Sequence, residues 1–161
     1  MAGGPLYSID TSALIHGWSR AYPRDIFPRV WDRLDGLIND GSLIATMEVY
    51  REIQRQDDDL ARWCEERLDA LFVEIDDPIQ IHVSHIMATY PRLVDTRKGL
   101  STADPFVIGL AMCHNDPLTV VTQESGGSAT KPRLQYVCQT EGVRCINLLQ
   151  LIQEQRWVFG S

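Results

Sequence analysis

What most constrains this chain is an alternation of short apolar runs with segments of helical period. "LYSI" (6–9), "SLIAT" (42–46), "LTVVT" (118–122) and "VRCI" (143–146) are apolar or β-branched and too brief for helices. Between them Val30, Trp31, Leu34, Leu37 and Ile38 recur at helical spacing and stop at "NDG" (39–41). Val49 and Ile53 carry the same period through "MEVYREIQRQ" (47–56). Leu60, Trp63, Cys64, Leu68, Leu71 and Phe72 predict one long amphipathic helix, and Ile79, Val83, Ile86, Met87 and Tyr90 another. "STADPFVIGLAMCHND" predicts an apolar helix, Leu134 to Thr140 a short one, and "NLLQLIQEQ" (147–155) a closing one, while "ESGGSATKP" is a loop. Strands alternating with helices predict an α/β fold with a mainly parallel central sheet of four to five strands flanked by helices.

At 161 residues the chain fits one globular domain, expected to span 1–161 with no repeat or linker. With 44% apolar and 23% charged residues, and no apolar run near the roughly 20 residues of a membrane-spanning helix, disorder and membrane spanning are both poor readings. The opening "MAGGPLYSID" lacks a basic region and an apolar stretch, so a signal peptide is not expected and a cytoplasmic location is. The four cysteines form no CxxC pair and read as small, mostly buried thiols; His82 and His85, three apart, read as half-exposed surface residues in preference to a metal pair. A net charge of −7 argues against a protein that coats nucleic acid with a cationic surface, but not against a nuclease whose carboxylates hold metal.

Ligands of open α/β sheets gather beyond the carboxyl ends of the strands, and that is where acidic residues fall in this chain. Asp10 ends the first apolar run, and Glu48 and Glu52 follow the second, one helical turn apart. Glu124 follows "TVVT", and Asp104 opens "ADPFVIGLA". Converging, these carboxylates would make a pocket suited to a hard divalent cation. Each also has a plainer role. Asp10 fits an N-cap; Asp104 before Pro105 fits an N-cap with proline at N1, and "STAD" a capping box. Glu48 and Glu52 fit solvated helix positions paired with Arg51 and Arg55, and Glu124 a loop charge.

The ordered set "SIDTSAL", "EVYREI", "ADPFVIGLA" and "VVTQES" resembles the PIN domain, the metal-dependent ribonuclease fold that includes many prokaryotic toxins of toxin–antitoxin pairs. In that family the first strand ends in Asp followed by a small hydroxyl residue. A helix then carries a Glu, a later helix opens with Asp before an apolar stretch, and a strand ends in Thr-x-Asp. The match runs from residue 7 to about 124, and "WSRAYPRDIFPRVWDRLDGLINDG" with "KPRLQYVCQTEGVRCINLLQLI" resembles a PIN-like branch of prokaryotic proteins, which extends it over nearly the whole chain.

The resemblance implies a Mg²⁺- or Mn²⁺-dependent endoribonuclease with Asp10, Glu52, Asp104 and Glu124 as its acidic residues. Glu52 matches the second position better than Glu48 because an aliphatic residue, Ile53, follows it; both remain candidate metal ligands. Glu124 stands where Asp is usual, and its extra methylene leaves open whether it ligates directly or through water. Thr11, Ser12 and Thr122 are hydroxyls that could orient a ligand. One or two ions would lower the pKa of a bound water and neutralise charge on the phosphate, leaving a 5′-phosphate and a 3′-hydroxyl. Lys131, Arg133, Arg97 and Lys98 are candidate phosphate contacts and equally ordinary surface cations.

An RNA substrate, a cognate antitoxin and a homodimer are the implied partners, with "WSRAYP", Phe27 and Trp31 as the antitoxin-facing stretch; core packing fits Trp31 as well. Rival readings are a PIN-like protein-binding module, a DNA-directed nuclease, and a phosphatase of the haloacid dehalogenase type. The last needs Asp-x-Asp early, where this chain has Asp10-Thr11-Ser12.

Overall fold

The computed structural model describes residues 4–94 and 102–160. Five strands form one parallel sheet: β1 (Tyr7–Ile9), β2 (Leu43–Thr46), β3 (Phe72–Val73), β4 (Thr119–Val121) and β5 (Cys145–Ile146). Their order is β3-β2-β1-β4-β5, so the chain builds outward from β1 to one side, then returns to add β4 on the other. The point where the order reverses lies between β1 and β4. There the connections leave in opposite directions and open a crevice beyond the strand ends.

β1 is the middle strand and is buried along its length. Its polar side chains are satisfied: Ser8 donates to the Val107 carbonyl at 3.0 Å, and the Tyr7 hydroxyl donates to Glu154 and accepts from Gln155 Nε2 at 2.8 Å. The register pairs Tyr7 with Thr119, Ser8 with Val120 and Ile9 with Val121. The next residues on the two strands, Asp10 and Thr122, therefore leave the sheet side by side.

Helices cover both faces: α1 (Thr11–His16), α2 (Pro28–Asn39), α3 (Met47–Gln54), α4 (Asp59–Glu65), α5 (Leu68–Leu71), α6 (Asp77–Thr89), α7 (Asp104–Met112), α8 (Leu134–Glu141) and α9 (Leu148–Glu154). A π-helical stretch, Gly17–Ala21, continues α1. Thr46, Asp58, Asp76 and Asn147 cap α3, α4, α6 and α9 through their side chains. α7 is apolar around most of its circumference because it lies between the sheet and α6. Gly109 permits that close approach, since a Cβ there would stand 2.8 Å from the Val83 side chain and 3.3 Å from its backbone nitrogen. None of the helices among the described residues is long and apolar enough to cross a membrane.

Two expectations change in detail. The helix expected over Leu60 to Phe72 is divided: α4 ends at Glu65, α5 is a single turn, and Phe72 enters β3. The cause is pairing with β2, where Ala45 meets Phe72 and Thr46 meets Val73. Asp104 is also not an N-cap. The first helical bonds of α7 run to the Ala103 carbonyl from Phe106 (2.9 Å) and Val107 (3.0 Å), so Asp104 is already inside the helix.

Under α2 and α4 the core is aromatic. Trp31 and Trp63 are buried with ring centroids 5.1 Å apart, and Trp18 meets Trp31 at 4.9 Å. The Arg67 guanidinium lies over the Trp63 ring at 4.2 Å, donates to the Trp63 carbonyl at 2.9 Å, and grips both oxygens of Asp35. The cysteines are free thiols, Cys64 and Cys138 buried, and burial pushes the Cys64 thiol up to about 12, well away from reactive thiolate chemistry.

Candidate metal centre

Asp10 occupies the N-cap position of α1, yet its carboxylate makes no capping hydrogen bond. It turns instead toward β4. Ser12 Oγ and Thr122 Oγ1 donate to its Oδ2 at 2.7 and 2.8 Å. Each hydroxyl has one proton, so both protons are committed to Asp10 although the two oxygens lie 3.0 Å apart. As acceptors, Ser12 takes the Gln123 N–H (3.0 Å) and Thr122 the Glu124 N–H (3.1 Å). The end of β4 and the loop after it are thereby pinned to the end of β1.

The other Asp10 oxygen, Oδ1, is buried and has no hydrogen-bond partner among the described residues. It faces company. Asp10, Asp104 and Glu124 each bring a carboxylate oxygen into a group whose members all lie within 4.8 Å of one another. Asp10 and Asp104 are buried and Glu124 half-buried. Burial pushes the Asp10 carboxyl up, the two hydroxyl donors oppose this, and the Glu52 charge adds to it. Glu124 is likewise raised, by burial first and then by the Asp10 charge, while Arg133 pulls it back. Three acidic groups this close cannot all ionise without a cation or a shared proton.

A divalent cation fits. Hard ions of the Mg²⁺ and Mn²⁺ kind take oxygen ligands at about 2.1 Å, which sets ligand oxygens about 3 to 4 Å apart. The described carboxylate group offers three oxygens within 4.8 Å of one another, and an ion would supply what Asp10 Oδ1 lacks.

The other expected residues fall as follows. Glu52 stands at the edge of the group, its Oε1 accepting from Thr11 Oγ1 at 2.7 Å, and its charge is felt at both Asp10 and Glu124. Glu48, a turn earlier on α3, is paired with Arg51. The charge of Arg133 is felt at Glu124, and Lys131 is exposed in the preceding turn. Arg97 and Lys98 lie outside the described residues. One contributor had no expected role: Gln123 donates its backbone N–H to Ser12, and its side-chain oxygen accepts from Leu148 N at 2.9 Å, tying the centre to α9. Its position directly after "VVT" is the signal that could have marked it.

Away from this centre, Trp18, Trp63, Arg24 and Arg62 line a groove of about 770 Å³. In its wall the buried Trp63 Nε1 has no hydrogen-bond partner among the described residues.

A family profile described as "Domain of unknown function (DUF4411)" matches residues 7–159. No curated protein matches the chain. Among solved structures, VapBC2 of Rickettsia felis, bound to a DNA fragment from its promoter, is similar with a TM-score of 0.54 at 14% identity, covering 88% of this chain and 98% of that one. VapBC-1 of nontypeable Haemophilus influenzae gives 0.54 at 13% identity, covering 87% and 96%. FitAcB of Neisseria gonorrhoeae gives 0.51 at 19% identity, covering 88% and 97%. These likenesses show a PIN-like fold.

Proposed function

The chain belongs to the DUF4411 family and has a PIN-like fold, and from that premise we propose that it is a metal-dependent ribonuclease, the toxin of a toxin–antitoxin pair, working as one domain over residues 1–161. The observation that carries the reading is the Asp10, Asp104 and Glu124 group at the reversal of strand order, with one buried oxygen of Asp10 left for a ligand.

In this reading Asp10, Asp104 and Glu124 hold Mg²⁺ or Mn²⁺, which when bound supplies positive charge to a phosphodiester and makes water more acidic. Ser12 and Thr122 occupy Oδ2 of the Asp10 carboxylate and leave Oδ1 for the ion. Thr11 steadies Glu52 at the rim, where its carboxylate can take a proton from attacking water. Glu48, committed to Arg51, supports α3 instead.

RNA is the substrate that the PIN resemblance favours. The structures the chain resembles are those of toxin–antitoxin pairs, which supports an antitoxin as partner. Trp18, Tyr22 and Phe27 supply half-buried and exposed aromatic surface for such a contact, whereas Trp31 belongs to the core.

The test is cleavage of an end-labelled RNA by the purified chain with Mn²⁺, Mg²⁺ or EDTA, beside Asp10→Asn. Metal-dependent cutting absent from the variant supports the reading. No cutting, with no calorimetric Mn²⁺ binding, overturns it in favour of a protein-binding module.

A further inference from the structure

The longest stretch of this chain without Asp, Glu, Lys or Arg is "PIQIHVSHIMATYP" (78–91), in a sequence where 23% of residues are charged. The next longest, 105–115, makes up most of α7 and is mostly buried, as an uncharged run is expected to be. The longer run lies on the surface. It forms most of α6, whose inner stripe of Ile79, Val83 and Ile86 is buried and which packs on α7, the helix that opens with Asp104. The outer face, Gln80, Ile81, Ser84, Met87 and Ala88, is exposed, with Ile81 69% and Met87 47% accessible. A solvated helix face ordinarily carries charge, and this one carries none. His85, beside it, is held at the edge: its Nε2 lies 2.8 Å from Glu141 Oε1, and Tyr90 donates to the other oxygen of Glu141 at 2.6 Å.

The centre of a protein interface is depleted of charge, and its rim is polar. An anionic lipid surface calls for basic residues on the face that meets it, and α6 has no Lys or Arg. A basic partner is drawn to the acids of a chain of net charge −7, not to a neutral face. Two copies of the chain, by contrast, repel each other least across an uncharged face. The residue order of α6 also complements its own reverse. In an antiparallel pair about a two-fold axis between Ser84 and His85, Ile81 meets Ala88 of the second copy, a large side chain against a small one. Gln80 then meets Thr89, and each can both donate and accept. At the ends, Asp77, exposed in the first turn, faces Arg92, which is exposed just past the last turn and donates to the Thr130 carbonyl at 3.2 Å. The two helix dipoles run in opposite directions, which favours the same arrangement.

We propose that the outer face of α6 is where two copies of this chain pair, antiparallel about a two-fold axis beside Ser84, with Asp77 of each copy turned toward Arg92 of the other. The pair holds α6 from outside as α7 holds it from inside, so the interface lies one helix away from the element that carries Asp104. This goes beyond the ribonuclease reading and stands without it.

The experiment is sedimentation of the full chain in EDTA over a range of concentrations, without RNA or metal. An interface carried mainly by one helix face is expected to give a dimer with Kd on the order of 1 to 100 µM. Ser84→Glu and Ser84→Lys each set like charges against each other across the axis, and each should raise Kd at least about 10-fold. Mixed in equal amounts, the two variants should recover the dimer, a result that only a self-facing surface gives. Ser84 is exposed, so both variants should keep the melting temperature of the unsubstituted chain. Ile81→Gln should weaken the dimer several-fold without adding charge, whereas Ile26→Gln, at a side chain 66% exposed before α2, should leave it unchanged. A chain that stays monomeric up to about 1 mM overturns the proposal. So does a dimer indifferent to both charges at Ser84, or a mixture of the two variants that stays monomeric. If the Ser84 variants melt early, Ile81→Gln decides, and unchanged association in that variant overturns the proposal. RNA cleavage is read separately, so the failure of either reading leaves the other standing.

Discussion

Thr122 Oγ1 donates to Asp10 Oδ2 over 2.8 Å, joining the ends of two adjacent parallel strands at the point where the strand order reverses. The same oxygen accepts the Glu124 N–H, so one hydroxyl orients two of the three clustered carboxylates: Asp10 through its side chain and Glu124 through its backbone. The centre is assembled by the sheet's register, not by any single loop.

Thr122→Val keeps the side chain's shape and removes both bonds. It should cost about 1 to 3 kcal/mol in a urea melt, because the buried Asp10 Oδ2 loses one of its two donors and the part-buried Glu124 N–H loses its acceptor. Mn²⁺ affinity should fall at least about 10-fold by calorimetry, the scale seen when a group orienting a ligand is lost. Thr122→Ser should retain most of both. Unchanged Mn²⁺ affinity in the valine variant would remove Thr122 from the site.

The raised carboxyls of Asp10 and Glu124 give a signed pH dependence. An acid whose folded pKa lies above its unfolded value, near 4, binds more protons in the native state through that window. Its contribution to stability is therefore greatest at low pH and is lost as pH rises through the folded pKa. Glu141 and Glu154, whose carboxyls are held low, act in the opposite sense, so the effect must be read as a difference. In EDTA the melting temperature of Glu124→Gln minus that of the unsubstituted chain should be near zero at pH 4 and positive at pH 7. Saturating Mn²⁺ should reverse its sign at pH 7. A difference flat with pH would show that the cluster carries no charge strain.

Glu48 and Glu52 lie on one face of α3, but they are spent differently: Glu48 on Arg51 and Glu52 on Thr11. Glu52→Gln should lower RNA cleavage by about 10- to 100-fold. Glu48→Gln should stay within about twofold of the original rate, since exposed i,i+3 pairs contribute little. Equal losses would return Glu48 to the site.

β1, β2 and β4 and the acidic positions were legible in the sequence because each of these strands is an apolar run closed by a carboxylate or hydroxyl, and β5 was legible as a short apolar run. β3 was not. Its two residues are a strand only because β2 pairs with them, and Leu71 and Phe72 continue the helical period of Leu60 and Cys64. The choice between Glu48 and Glu52 was equally hidden, since it depends on Thr11 and Arg51, one distant in sequence and one local. Nor does spacing show that Glu124 reaches the other carboxylates, because its position comes from Thr122 accepting its backbone N–H. Pairing partners decide these cases, and they are set by tertiary contact.

Two glycines separate backbone freedom from backbone need. Gly127 combines φ +101° with contacts at 2.7 to 3.0 Å to Arg133 and Tyr136, so an added methyl meets main chain that cannot step aside. Gly127→Ala should cost about 1 to 3 kcal/mol, a drop of several degrees in melting temperature for a chain of this length. Gly36 is exposed in the interior of α2, and a Cβ there meets nothing within 4 Å. Its replacement by alanine restricts the unfolded chain at no native cost and should raise stability by about 0.5 to 1 kcal/mol. Both variants are compared by urea denaturation. A neutral Gly127→Ala would mean that the turn before α8 gives way easily and that its close contacts with Arg133 and Tyr136 are not rigid.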